Sequence, residues 1–165
     1  MVYEVNDTIL YGGGICRIAE IKEKEMNNTR REYYVLNPVY DEKTVIYIPV
    51  SNEIATAKMR QLLSVEEVQA ITKAIPNEST IWIDNENDRR DRYREIITQG
   101  DRMELAQLIR TLYLHQRSKK EKGQKVHAAD ERLMKEAEKI LYEEFAYVLN
   151  IDLEQVEAFI TAQNE

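Results

Sequence analysis

The hydrophobic pattern changes period once along the chain, from the two-residue alternation of strands to the 3.6-residue spacing of helices. Val2 to Val50 holds short apolar, β-branched and aromatic runs separated by turn residues, which predicts strands. Thr8, Ile9, Leu10 and Tyr11 form one such run and end at Gly12, Gly13 and Gly14, where positive φ costs little and the backbone can turn. Ile15 to Lys24 alternates, with Ile15, Arg17, Ala19 and Ile21 on one face and Cys16, Ile18, Glu20 and Lys22 on the other. Either face can be the inner one. Met26 to Thr29 supplies a turn, and Arg31 to Leu36 returns as a second strand of a hairpin. After a polar connection over Asn37 to Lys43, Thr44 to Val50 forms a third long strand. Pro49 has no amide to give a ladder, which places it at a strand end or on an edge.

From Ser51 onward the spacing is helical. Ser64 and Glu67 have capping-box spacing ahead of a short helix to about Ala74, which Pro76 ends. A second helix is predicted from about Asn87 to Thr98. Its narrow apolar side of Tyr93, Ile96 and Ile97 leaves most of Arg89, Arg90, Arg92 and Arg94 toward solvent or a partner. Gly100 closes it. Asp101 then caps a helix to about Arg117 with a stripe of Met103, Leu105, Leu108, Ile109 and Leu112. Ser118 to Gln124 is polar, basic and interrupted by glycine, and reads as an exposed loop. A long helix follows from about Ala128 to Leu149, and Asp152 caps a last one carrying Leu153, Val156, Phe159 and Ile160.

The predicted fold class is therefore α+β: a small, closely turned antiparallel β unit resembling a Tudor-like or SH3-like barrel, followed by an all-helical bundle. The seam falls between Pro49 and Thr80. At 165 residues the chain has room for two such small units, each with a modest core. No apolar run approaches the roughly 18 residues of a membrane helix, and the first residues have neither a basic cap nor an apolar secretory stretch, so a cytoplasmic location without membrane attachment is expected. Cys16 is the single cysteine, which rules out an internal disulfide and a cysteine-based zinc site.

The net charge of −7 argues against a generic nucleic-acid binder, but its distribution does not. Arg89 to Lys125 carries 11 basic and 5 acidic residues, a local balance of +6, between flanks of −6 and −7. This island starts beside the only tryptophan, Trp82. An aromatic side chain next to clustered arginines fits contact with a polyanion; the competing reading is an interdomain tryptophan beside a solvated helix face.

Catalytic chemistry is thinly supplied. His115 and His127 are far apart and read as surface histidines. Glu143 and Glu144 are adjacent and so leave a helix in different directions, and Cys16 on a strand reads as core. The glycine run lacks the Gly-Lys-Ser/Thr ending of a phosphate loop. No enzyme, metal or cofactor is expected.

Taken in order, NDTILYGGGICRIAEIKEKE, REYYVL, IYIPV, RRDRYREIITQGD and HAADERLMKEAEKILYEEFA resemble the CarD family of bacterial transcription regulators, including its CdnL-type members, from about Val5 to Leu149. The N-terminal module also resembles part of the transcription-repair coupling helicase, without any motor. The CarD resemblance implies a Tudor-like domain, residues 1–60, that binds the RNA polymerase β subunit. It also implies a helical domain, residues 61–165, that contacts promoter DNA at the upstream edge of the melted region without reading sequence, through the minor groove or phosphates, and stabilises open complexes. The expected polymerase-binding residues are Tyr33, Tyr34, Val35, Ile46, Tyr47 and Ile48, on or beneath a sheet edge. The expected DNA-binding residues are Trp82, Arg89, Arg90, Arg92 and Arg94. A monomer is expected. The alternative is a protein–protein adaptor whose helical domain docks another protein instead of DNA.

Overall fold

The structure, a computed structural model, describes residues 3–163, so the predicted start of the strand region at Val2 lies outside the described residues. The chain forms two compact units that divide between Leu62 and Leu63.

The first unit is a five-stranded antiparallel sheet in the order β4-β3-β2-β1-β5, formed by β1 (Thr8–Tyr11), β2 (Gly14–Met26), β3 (Thr29–Pro38), β4 (Ile46–Pro49) and β5 (Arg60–Gln61). Two tight turns set its register. Gly12 and Gly13, at φ of 59° and 80°, join Tyr11 to its cross-strand partner Gly14. Asn27 and Asn28, at 53° and 62°, join Met26 to Thr29. Two successive left-handed residues match the twist of a hairpin, and Gly and Asn are the residues that adopt that conformation most cheaply.

The alternation in β2 does not keep one phase. Its pairing with β3 steps from Ile18↔Leu36 to Glu20↔Val35, which leaves Ala19 as a bulge. The extra residue turns the later side chains over. Cys16 and Ile18 therefore enter the core with Ile9, Tyr34, Leu36, Ile48 and Met59, whereas beyond the bulge it is Ile21 that packs on that cluster. Strand β4 is shorter than the predicted Thr44 to Val50 and lies at one edge, with Pro49 as its last residue. At the other end, the five-residue helix α1 (Glu53–Ala57) and β5 lie in a segment with too few residues to show a period. Asn52 caps α1 by accepting from the Ala55 amide at 3.0 Å.

The second unit contains α2 (Val65–Ala74), α3 (Glu86–Gln99), α4 (Arg102–Glu121), α5 (Ala128–Leu149) and α6 (Val156–Gln163), with short 3-10 turns at Ile75–Asn77 and Leu153–Gln155. Local chemistry accounts for the ends. Ser64 and Glu67 form both bonds of the capping box, and Asn85 and Asp101 accept from the amides three residues on. Gly100 and Asn150 close α3 and α5 in the left-handed region. The predicted loop over Ser118 to Gln124 is mostly helix: α4 continues through Glu121, and only from Lys122 does the chain leave it. Ser-Lys-Lys-Glu forms helix readily, the two lysines sit favourably against the negative end of the helix dipole, and the break comes at Gly123, at φ 69°.

Tyr93, Ile96, Leu105, Leu108, Leu112, Leu133, Ala137, Leu141, Phe145 and Val156 make the buried centre of this bundle. Between α5 and α6, Glu138 is half-buried, and burial together with the nearby Glu157 carboxylate raises its pKa, opposed by Lys135. A carboxyl whose folded pKa is raised above its unfolded value binds more protons in the folded state, so its contribution to stability falls as pH rises through that window. We therefore expect Glu138→Gln to raise the melting temperature at pH 7 by about 2–4 °C, with a gain that shrinks as the pH is lowered toward 4. Thermal unfolding of both proteins across that range checks it.

Candidate nucleic-acid interface

The stretch from Glu78 to Asn85 is neither helix nor strand, so its backbone groups must find partners elsewhere. Arg110 donates to the Glu78 carbonyl at 2.8 Å. The Ile81 amide donates to Thr111 Oγ1 at 3.1 Å, and the Ile81 carbonyl accepts from the buried Tyr93 hydroxyl at 2.9 Å. Burial pushes that phenol up to about 12, so it stays protonated and keeps donating. Arg89 Nη1 donates to the carbonyls of Ile83 and Asp84 at 3.0 and 3.2 Å.

Arg89 is the arginine that departs furthest from expectation. Instead of facing solvent it is 5% exposed. Its Nε and Nη2 donate to the two carboxylate oxygens of Asp130 on α5 at 3.0 and 3.1 Å. Four bonds and burial turn this guanidinium toward the interior. The helical spacing already contained the signal: Arg89 stands four residues before Tyr93 and seven before Ile96, on the apolar stripe, and Asp130 holds the matching place three before Leu133 and seven before Ala137.

Trp82 is carried on this pinned stretch and is partly exposed. Its indole N–H donates to Asp84 Oδ1 at 3.0 Å. The Arg89 guanidinium carbon lies 4.4 Å from the ring centroid, within cation–π range. His115 of α4 stacks on the indole, with centroids 3.4 Å apart and planes 16° from parallel. His115 is thus no ordinary surface histidine. Burial, and then the positive charge of Lys119, lower its pKa, with Lys122 and Arg89 acting in the same sense against Asp130. The positive charges acting on His115 therefore include Lys119 and Lys122, from the end of α4 and its cap.

The remaining arginines of α3 disperse. Arg92 lines an open cleft with Trp82, Ile83 and Ile96, but its guanidinium is bonded to Glu104 at 3.1 Å. Arg94 pairs with Glu136 at 2.8 Å and Arg90 donates to Asn87 at 2.9 Å, both at the exposed surface. The tertiary structure thus brings Trp82, Arg89 and Arg92 together and leaves Arg90 and Arg94 outside that group.

In the sheet unit, Tyr33, Tyr34, Val35 and Ile48 are buried, so they support the β4 edge from beneath and do not project from it. Ile46 and Tyr47 are partly exposed on the edge strand itself. Tyr47 meets Tyr33 edge to face at 6.3 Å, and Lys24 Nζ lies 4.0 Å above its ring. Cys16 is 1% exposed, and burial pushes its thiol up to about 11, which makes it a core residue with little thiolate. Glu144 is occupied by Arg102 through two bonds of 2.9 Å, while burial raises the Glu143 pKa against the opposing charge of Lys139. Among the described residues, no group of three or more His, Cys, Asp or Glu could hold a metal, and no helix is long and apolar enough to cross a membrane.

Protonating His115 turns a neutral stack into an imidazolium against an indole, which quenches indole emission. Because its folded pKa is depressed, the uncharged ring contributes stability that is present above the ordinary value of 6.5 and lost as pH falls through the folded pKa. Trp82 emission should drop on acidification with a midpoint below 6.5, and His115→Gln should abolish the step. Steady-state fluorescence against pH measures both.

Two family profiles match the chain. The one described as CarD, C-terminal domain, covers residues 70–161, and the one described as CarD-like/TRCF RID domain covers residues 3–63. A comparison with curated proteins finds no match. The second profile describes a Tudor-like, RNA polymerase-interacting domain. CarD-family domains belong to transcription factors without enzymatic activity. A Tudor-like antiparallel unit followed by a helical one, each under its own matching profile, makes the chain a CdnL-like member of the CarD family of transcription-associated, RNA polymerase-interacting proteins.

Proposed function

We propose that this protein is a non-enzymatic, cytoplasmic transcription regulator that works as a monomer. Its sheet unit docks on the RNA polymerase β subunit, and its helical unit contacts promoter DNA and stabilises the open complex. One observation carries the DNA half: a single tryptophan, partly exposed on a pinned backbone, is stacked on His115, on which the charges of Lys119 and Lys122 act. An apolar ring entering a groove costs a few kcal/mol of unstacking, which neighbouring cations offset by holding phosphates. Arg90 and Arg94 act as secondary phosphate contacts, since exposed pairs such as Arg94 with Glu136 are weak and exchange readily. Arg92 serves the cleft beside Trp82, and Arg89 serves the interior.

Docking uses the β4 edge, with Ile46 and Tyr47 at the contact and Tyr33, Tyr34, Val35 and Ile48 supporting it. Strand addition relies on backbone groups, which buried side chains beneath the edge keep in register. A chain of net charge −7 binds DNA weakly by itself, so tethering through polymerase supplies the local concentration.

With polymerase and an open promoter, Trp82→Ala should shorten complex lifetime by about tenfold. The double variant Lys119→Ala/Lys122→Ala should lower the slope of log affinity against log salt by about 2, and Arg90→Ala/Arg94→Ala by less. Unchanged lifetimes and slopes in all three, with polymerase still bound, would favour the adaptor reading over DNA contact. Absence of the β subunit from a pull-down with the two-unit chain would remove the docking half.

A further inference from the structure

Trp82 lies in a stretch without regular structure, yet the residues around it are held from two helices, α3 and α4: Ile81 by Thr111 and Tyr93, and Ile83 and Asp84 by Arg89. Arg89 is the member of this set that also touches the indole. What keeps a guanidinium at 5% exposure is its counter-ion, because an unpaired buried cation turns toward water or recruits it. If Asp130 lost its charge, Arg89 would leave, and it would release two carbonyls of the stretch and one face of the ring together.

We propose that Asp130 is a positioning residue: acting through Arg89, it holds the 81–84 stretch and sets the Trp82 indole against His115 in the attitude offered to DNA. Asp130 itself is 4% exposed, so it acts through its partner. The inference rests on the reading of Trp82 as a DNA contact. The molecule contains its own control. Arg102 and Glu144 form a second bidentate pair, between α4 and α5, with Glu144 2% exposed. The carboxylate of that pair also accepts from the Leu63 amide, at the other end of α5 from Asp130. Breaking it costs a buried ion pair without touching the tryptophan stretch.

The test compares the protein with its Asp130→Asn, Glu144→Gln and Trp82→Ala variants. The readouts are melting temperature, acrylamide quenching of Trp82 emission, and retention of a duplex with a pre-melted segment in the presence of polymerase. Asp130→Asn should raise quenching about two- to threefold and weaken DNA retention by about tenfold, and adding it to Trp82→Ala should weaken retention no further. Glu144→Gln should lower the melting temperature comparably and leave quenching and DNA retention unchanged. If Asp130→Asn does not fold, Arg89→Lys makes the same comparison, since it keeps the charge opposite Asp130 but loses the planar group that binds the carboxylate and the two carbonyls at once. Unchanged quenching in Asp130→Asn, or an equal loss of DNA retention in Glu144→Gln, overturns the proposal. Normal DNA retention in Trp82→Ala overturns instead the reading on which it rests, and the quenching result tells the two failures apart.

Discussion

The helical unit depends on one constraint: the charge of Arg89 is buried and must be answered where it lies. Removing a guanidinium and a carboxylate from water costs several kcal/mol for each ion, which is recovered only if the geometry is good and the remaining donors are used. Here a two-bond fork to Asp130 and two bonds to the Ile83 and Asp84 carbonyls meet both conditions. These requirements tie α3 to α5 at one relative position. Apolar packing of Tyr93, Ile96, Leu133 and Ala137 supplies the greater part of the favourable energy, but it tolerates sliding; a planar fork does not. Arg102 and Glu144 impose the same kind of condition between α4 and α5, and Glu144 also accepts from the Leu63 amide, where the helical unit begins.

The consequence for function is a division of labour within the basic island. Its total charge marks the segment as attractive to phosphate, yet its members do different things. Arg89 is structural, Arg92 is shared with Glu104, and Arg94 sits in a surface pair with Glu136. Lys119 and Lys122 owe their place to the extra turn of α4, which carries the chain past Arg117 and on to its cap at Lys122, and from there their charges act on His115. A loop beginning at Ser118 would have left these charges without a defined place. In the sheet unit the corresponding distinction is between side chains and backbone: Tyr33 to Leu36 are buried, and β4 lies at the sheet edge.

Much of this was legible in the sequence because the signals were local. The Gly12-Gly13 and Asn27-Asn28 turns, the Ser64/Glu67 capping box, the Gly100 stop and the bounds of α5 each follow from residues within a few positions of one another. What the sequence left open were matters of who lies opposite whom. The bulge at Ala19 decides which face of β2 is inner before and after it, and it depends on register with β3. The short α1 and β5 gain their definition from Asn52 and from pairing with β1.

The sequence by itself determined the two-part architecture, its turns and caps, and the position of the basic island, since periodicity and capping are properties of neighbouring residues. Tertiary structure alone decided which charged residues are surface tools and which are internal struts. Arg89 shares the helical phase of Tyr93 and Ile96, but a charge on an apolar stripe can be buried only if another element brings its partner, and Asp130 lies 41 residues away. His115 reaches Trp82 by the same route, across a helix packing that no local pattern encodes.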